Sequence, residues 1–439
     1  MKRTANLLLA LTTALTISCR ATDEKAKVVV LGFDGANWET IDPLIEAGKL
    51  PFLKRLKEQS AWAYLQTFKP TKSPVIWTSI ATGKTMIKHG ILDFVFIEKN
   101  QIQVPYSNSE RRAPALWEIL DHFNKRSVVN NWFVTYPPDP INGVMVSNRF
   151  RKRLLLKGDR IDSVRDSVHP PEYFDRLSEF ANHDYAGLLE ENGLPDVAAA
   201  YEQTHPGRSH TDIAVLKDFW VYVLQEAFNE SVSQHLYQTE DFDFFASYFR
   251  LPDIVQHFAL TLMDQEQLEA FQSRLKAGEF TEEDQKLFER QIAGVLEPFY
   301  RYMEKIIENF MTSSRYEDAY FIIVSDHGFT FHSGGYDHYH IPDNLPAPNG
   351  IFLMNGPEIK RGQVPFISVY DIAPTILHLF DLPIGKEMDG RPVTEALLFE
   401  REQTYQIYSA DMMTPKNRKR DSELEQSTLE ELKALGYIQ

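Results

Sequence analysis

Four short stretches of the chain bring carboxylate and imidazole side chains to places where chemistry is usually done. Asp34 closes the apolar run Val28-Val29-Val30-Leu31-Gly32-Phe33 and is followed at once by Gly35. Asp253 and His257 stand four apart in Pro252-Asp253-Ile254-Val255-Gln256-His257. On a helical turn that spacing puts both on one face, within reach of one ion. Asp326 and His327 are neighbours just after Tyr320-Phe321-Ile322-Ile323-Val324, and a loop beyond them holds His332, His338 and His340. Counted together, these supply three Asp and at least three His. That nitrogen and oxygen donor set suits two zinc-like sites, each keeping a position open for substrate. Taken singly, each piece has an ordinary explanation: a solvated helix face, a turn Asp, a surface His. Their recurrence just past strand ends is what points to a site, because open α/β sheets bind ligands at that edge.

A nucleophile is expected beside such ions. Ser73 lies in Pro70-Thr71-Lys72-Ser73-Pro74, between a Pro-punctuated turn and the apolar run Val75 to Thr82. A serine hydroxyl is too weak an acid to attack phosphorus unaided, but a bound divalent cation lowers its pKa and removes the need for a His base. Thr71, Thr78 and Ser79 have the same group and are expected to serve as strand or cap residues.

The elements that must position these groups alternate between strands and helices. Val- and Ile-rich runs without polar alternation suit a parallel sheet covered on both faces. Asp42 to Gln59 is expected as a helix, Ser127–Asn130 and Asn142–Val146 as strands, and Gly350–Met354 as one more. The fold expected is a three-layer α/β/α sandwich with a mostly parallel central sheet. Its first part spans 27–150 and its second 241–400, with an inserted, mainly helical cap at 151–240 and a helical tail at 401–439. The last helix is expected near Ser427, where Ser427 and Glu430 have capping-box spacing. The basic stretch Arg149 to Arg153 is expected as a solvated face.

The chain has 439 residues, 46 Lys+Arg against 62 Asp+Glu, and a single Cys. A formal charge of −16 leaves no overall basic footprint for a nucleic-acid polymer. An anionic ester would therefore need local positive charge, which metal ions supply. Lys2 and Arg3 precede a short apolar run, Leu7 to Ile17, below the roughly 20 residues of a spanning helix. Leu15-Thr16-Ile17-Ser18-Cys19 resembles a bacterial lipoprotein cleavage site. The expectation is a signal peptide over 1–18, lipidation of Cys19, and a periplasmic or cell-envelope lipoprotein anchored to a membrane by that lipid.

These motifs, in this order, resemble the type I phosphodiesterase/nucleotide pyrophosphatase branch of the alkaline phosphatase superfamily. The carriers are Gly-Phe-Asp34-Gly, Pro-Thr-Lys-Ser73-Pro, Pro-Asp253-x-x-x-His257, Ser-Asp326-His327-Gly and Gly350-Ile-Phe-Leu-Met-Asn-Gly-Pro357. Val369 to Thr375 and Met388-Asp389-Gly390-Arg391-Pro392 add to them. The resemblance implies a hydrolase of small phosphate esters, of phosphodiesterase or nucleotide pyrophosphatase type, with two divalent metal ions, zinc being the expected identity. It also implies that Asp34, Asp326 and His327 hold the ion that activates Ser73. Asp253, His257 and either His338 or His340 would hold the other, His338 having the closer sequence context. Ser73 would form a covalent seryl-phosphoryl intermediate.

Where the nucleotide pyrophosphatases have an Asn that donates to a phosphoryl oxygen, ungapped counting finds Phe94, so the resemblance leaves nucleotide specificity open. A phosphomonoesterase or phosphonate monoester hydrolase on the same site is the nearest alternative, and a non-catalytic binding lipoprotein the more distant one. A P-loop at Gly83-Lys84-Thr85 is excluded, since Thr78 stands where its first Gly is required. A sulfatase nucleophile is followed two residues on by Pro and then by Arg, and Ser73-Pro74-Val75-Ile76-Trp77 lacks that pattern.

Overall fold

The computed structural model describes residues 26–98, 101–150, 152–153, 160–161, 165–194, 196, 199, 210–316, 318–332, 335–365, 367–413, 422–434 and 437–438. Cys19 and the expected signal segment lie outside the described residues, as does Arg151.

Among the described residues, ten strands form the main sheet. They are β1 (Val28–Phe33), β2 (Ala61–Gln66), β3 (Ser127–Asn130), β4 (Gly143–Val146) and β5 (Val168–His169). The second half supplies β6 (Phe244–Phe249), β7 (Tyr320–Val324), β8 (Gly350–Asn355), β9 (Gly362–Gln363) and β10 (Ile367–Ser368). The order is β9-β2-β8-β7-β1-β6-β3-β4-β5, with β10 also on β2. The central run β7-β1-β6-β3-β4 is parallel, while β8 and β5 run antiparallel to their neighbours on either side. β1 therefore sits at the centre with its C-terminal end beside those of β6 and β7.

Side-chain alternation along these strands builds two cores. Val29, Leu31 and Phe33 face α1 (Trp38–Glu46), whereas Val28 and Val30 face α2 (Ser73–Thr82) and α3 (Leu116–His122). The first layer is completed by α4 (His210–Thr239), α5 (Leu251–Leu262) and α6 (Glu282–Met311), the second by α7 (Ile372–Leu379). Both faces of β1 are fully buried, which is why its sequence shows no polar alternation. The result is a three-layer α/β/α sandwich.

Three elements differ in detail from expectation. The stretch Asp42 to Gln59 is two helices, α1 and Pro51–Gln59, because Gly48 takes a left-handed φ of 72° and Pro51 opens the second. α4 falls within the 151–240 segment, yet Phe219, Val223 and Phe228 share a core with β1 and β6, so this helix covers the sheet. The last helix, α8 (Ser422–Ala434), starts before Ser427. Glu425 and Gln426 are good helix formers and keep the preceding turn helical.

Beneath α2, His89 is fully buried. Its Nδ1 accepts from the Ile91 N–H at 3.2 Å and its Nε2 lies 3.0 Å from Ser79 Oγ. That pairing requires a neutral ring, and burial, reinforced by the charge of Arg111, lowers its pKa from 6.5 to about 3. The unfolded chain therefore binds a proton below pH 6.5 that the folded chain refuses until about pH 3. Stability is expected to fall as pH drops through this window, by about 1.4 kcal/mol per unit for this group. Urea unfolding of wild type and His89→Gln at pH 7 and pH 4.5 checks it. The variant should show the shallower loss, and equal losses would contradict the prediction.

Candidate active site

The first carboxylate is placed by the central strand itself. The Asp34 N–H continues the ladder to Phe249 O at 2.9 Å, and the chain then turns sharply at Gly35, φ +71°. A Cβ on Gly35 would come within 2.8 Å of Asp253 Cα, so glycine lets the ends of β1 and α5 close together. The Gly35 N–H reaches Asp326 Oδ1 at 3.3 Å, tying the end of β1 to the turn after β7. Three turns that are remote in sequence thus converge because their strands are adjacent and parallel.

Ser73 is the first residue of α2, with Pro74 next, so the hydroxyl sits at the positive end of that helix. Its Oγ is 3.4 Å from Asp34 Oδ1 and 3.4 Å from His327 Nε2. α2 packs close to β1 because Gly32 has no side chain: a Cβ there would lie 2.6 Å from the Trp77 ring. From that position Trp77 Nε1 donates to Asp34 Oδ2 at 3.1 Å, and the Tyr248 hydroxyl donates to the same oxygen. One oxygen of Asp34 is thereby pinned, while Oδ1 faces His327 Nε2 at 3.3 Å.

Two donor clusters result. Asp34, Asp326 and His327 form the first, all buried, with His327 Nε2 also 3.4 Å from Asp326 Oδ2. In the second, Asp253 Oδ1 is 3.3 Å from His257 Nε2 and 3.5 Å from His338 Nε2, and the two imidazole nitrogens are 3.3 Å apart. Asp253 and His257 stand one turn apart on α5. The rings of His327 and His338 stack at 3.8 Å and join the clusters.

The donor chemistry fits metal ions. Asp253 Oδ1 and Asp326 Oδ2 are buried and accept no hydrogen bond among the described residues. A buried carboxylate oxygen with no donor is costly unless a cation meets it. His327 Nδ1 lies 3.1 Å from Gly328 O and His338 Nδ1 lies 3.1 Å from Thr71 O. A proton on each Nδ1 donates to that carbonyl and turns Nε2 into the cluster, as metal-binding imidazoles are usually held.

The electrostatics agree. Burial and the charge of Asp34 push the Asp326 carboxyl well above the usual range. Burial acts to raise Asp34 too, but its contacts with His327 and Tyr248 outweigh that and hold it low. For His327 burial works downward and is overcome by Asp326 and Asp34, which carry it to about 10. His257 is likewise raised, Asp253 overcoming burial, whereas burial and the neighbouring His327 and His257 keep His338 well below its normal value. Carboxylates crowded out of water draw positive charge here, whether from protons or from metal.

Of the loop histidines, His338 is buried in the second cluster. His340 is exposed and bonds Asp337 Oδ2 at 2.9 Å through Nδ1. His332 lies on the strand Thr330–His332, which pairs with Gly335–Asp337.

Side chains with no sequence signal complete the site. Trp77 and Tyr248 support Asp34, and the Tyr437 hydroxyl donates to Asp253 Oδ2. A pocket beside Ser73 is lined by Phe94, Phe133, Arg149, Tyr248, Arg250 and Tyr437, among others. Arg149, expected on a solvated face, is buried with its guanidinium 4.9 Å from the Tyr136 ring. Phe94 is buried in that pocket wall and offers no donor to a phosphoryl oxygen.

The sandwich, with acid and imidazole groups gathered at the strand ends beside a hydroxyl, is that of a phosphoester hydrolase of the alkaline phosphatase superfamily. The chain belongs to the type I phosphodiesterase/nucleotide pyrophosphatase family, whose model matches residues 28–412, and that family is metal-dependent. No curated protein matches the chain by sequence. Among solved structures, a candidate sulfatase from Bacteroides thetaiotaomicron VPI-5482 is similar at TM-score 0.51 and 10% identity. That match covers 87% of this chain and 76% of the other. Murine ectonucleotide pyrophosphatase/phosphodiesterase 5 aligns at TM-score 0.45 and 11% identity, covering 84% of this chain and 100% of its own. The phosphonate monoester hydrolase of Silicibacter pomeroyi aligns at TM-score 0.43 and 13% identity, covering 87% and 78%. At such identities the likeness bears on the fold alone.

Proposed function

We propose that the chain is a phosphodiesterase that cleaves small phosphate esters through a covalent seryl-phosphoryl intermediate on Ser73. Two divalent cations, zinc by the donor chemistry, would be held by Asp34, Asp326 and His327 and by Asp253, His257 and His338. When bound, such ions lower the pKa of a nearby hydroxyl and offset charge on the attacking and leaving oxygens. The observation that carries the proposal is the pair of orphaned inward oxygens, Asp253 Oδ1 and Asp326 Oδ2, facing imidazole Nε2 atoms beside Ser73 Oγ.

The side chains divide the work. Ser73 Oγ loses its proton and forms the new bond to phosphorus as the ester bond to the leaving oxygen breaks, and that oxygen leaves as an alcohol after taking up a proton. Water then attacks the seryl phosphoester, its hydroxyl going to the released phosphate monoester and its other hydrogen restoring the Ser73 hydroxyl. The positive end of α2 favours the anionic phosphoryl group next to Ser73. Trp77 and Tyr248 hold Asp34 in one orientation, so the nucleophile meets a fixed carboxylate.

Purified protein reconstituted with zinc or manganese, assayed on bis-p-nitrophenyl phosphate, p-nitrophenyl phosphate and p-nitrophenyl phenylphosphonate, tests this. The diester is expected to turn over fastest, with two ions per chain. Faster hydrolysis of the monoester or the phosphonate would replace the diester assignment with that class. Turnover of none, with no metal retained, would leave only a binding protein with this fold.

A further inference from the structure

We infer that Tyr437, in the C-terminal segment after α8, is a positioning residue that aims Asp253 into the second donor cluster. The inference rests on the two-ion reading above and extends the site to a part of the chain beyond the family match, which ends at residue 412.

The geometry repeats at Asp253 what is seen at Asp34. At Asp34, Oδ2 accepts from Tyr248 and Trp77, and Oδ1 turns toward His327 and Ser73. At Asp253, Oδ2 accepts from Tyr437, and Oδ1 turns toward His257 and His338. In both, a phenol donates to one carboxylate oxygen and leaves the other for the cluster. A carboxylate bonded in this way loses its freedom to rotate and presents one defined lone-pair direction to an ion.

Tyr437 is itself held on several sides. Its ring stacks on Phe94 at 4.7 Å with planes 10° apart, and meets the edge of His257 at 5.3 Å. Its N–H bonds Leu432 O at 2.9 Å, fixing it to the end of α8. α8 is docked by Glu431, which pairs with Arg250, and the Arg250 Nε is held 3.0 Å from Glu226 Oε1. Arg250 immediately precedes α5, so the tail is anchored at the start of the helix that carries Asp253 and His257.

A tail lying over a site could instead be a plug whose hydroxyl takes the ion's place. The choice of oxygen argues against that: the hydroxyl is on Oδ2, while the orphaned atom facing both imidazoles is Oδ1.

The test is metal binding by full-length wild type, Tyr437→Phe and Glu431→Gln, measured by competition with a chromogenic chelator for zinc alone. The melting temperature of each is recorded in excess chelator. Wild type is expected to bind two ions. Tyr437→Phe should weaken one of them roughly 10- to 100-fold, the range for losing a group that orients a ligand, and leave the other unchanged. Glu431→Gln should weaken the same ion by less. Melting temperatures in chelator should stay within a few degrees of wild type for the two point variants. Two unchanged affinities in Tyr437→Phe would overturn the inference alone, and tighter binding would identify a plug and overturn it too. A wild type that takes up no zinc would overturn both this inference and the two-ion reading.

Discussion

Ser73→Ala is expected to lower diester turnover by roughly three to six orders of magnitude, about 4–8 kcal/mol of transition-state stabilisation. The structure makes this separable from a folding defect. Ser73 is buried, but its two contacts, to Asp34 and His327, are both 3.4 Å, at the long limit for hydrogen bonds. A hydroxyl so loosely held contributes no more than about 1 kcal/mol to stability, and alanine keeps the backbone at the start of α2 helical. The melting temperature should therefore hardly move while the chemical step is lost. Both ions should remain bound, since the two orphaned carboxylate oxygens and the three histidines are untouched. Rapid-quench labelling with a phosphorus-labelled diester should trap a seryl ester in wild type and none in the variant. Retained turnover would remove Ser73 from the role of nucleophile.

Asp326→Asn should have opposite effects in the presence and absence of metal. In chelator, Asp326 and Asp34 face one another in a dry site, and Asp326 is pushed well above its usual pKa by burial and by that neighbour. An amide removes the repulsion, keeps an oxygen for the Gly35 N–H, and adds a donor where Oδ2 was orphaned. The chelator-treated variant is thus expected to melt at or above the wild-type temperature. With zinc the order should reverse, because ligands that bind only the folded chain stabilise it by mass action, about 2.7 kcal/mol per ion at a hundredfold excess over Kd. One ion should be lost. Turnover should fall at least about 100-fold, since even residues that merely orient ligands cost 10–100-fold when changed. Two ions retained at wild-type affinity would show that Asp326 is not a ligand.

How much of this was legible from residue types differs from element to element. β1, β6 and β7 were readable because a strand buried on both faces must be apolar throughout, and each is followed by the polar residues it delivers. Asp253 and His257 were readable as partners because a helical turn fixes their spacing locally. The end of α1 and the start of α8 were less so: the turn at Gly48 and Pro51 splits one expected helix into two, and Glu425 and Gln426 carry α8 back past the capping-box spacing at Ser427. Arg149 departs from its expected solvated face because the Tyr136 ring covers it, a contact that a run of basic residues does not announce.

The residue types alone determined a mostly parallel α/β sandwich and the acid and imidazole groups at its strand ends, while Ser73 as the hydroxyl beside them came from the family resemblance. The first two follow from local periodicity and from turns, which short stretches of chain encode. Only the tertiary structure brought His338 into the second cluster and left His340 at the surface, because that depends on how one loop folds over Thr71. It alone set Tyr248 and Tyr437 against Asp34 and Asp253, across 214 and 184 residues of chain. Contacts of that span arise from strand order and helix docking, and no pattern within a window of sequence can carry them.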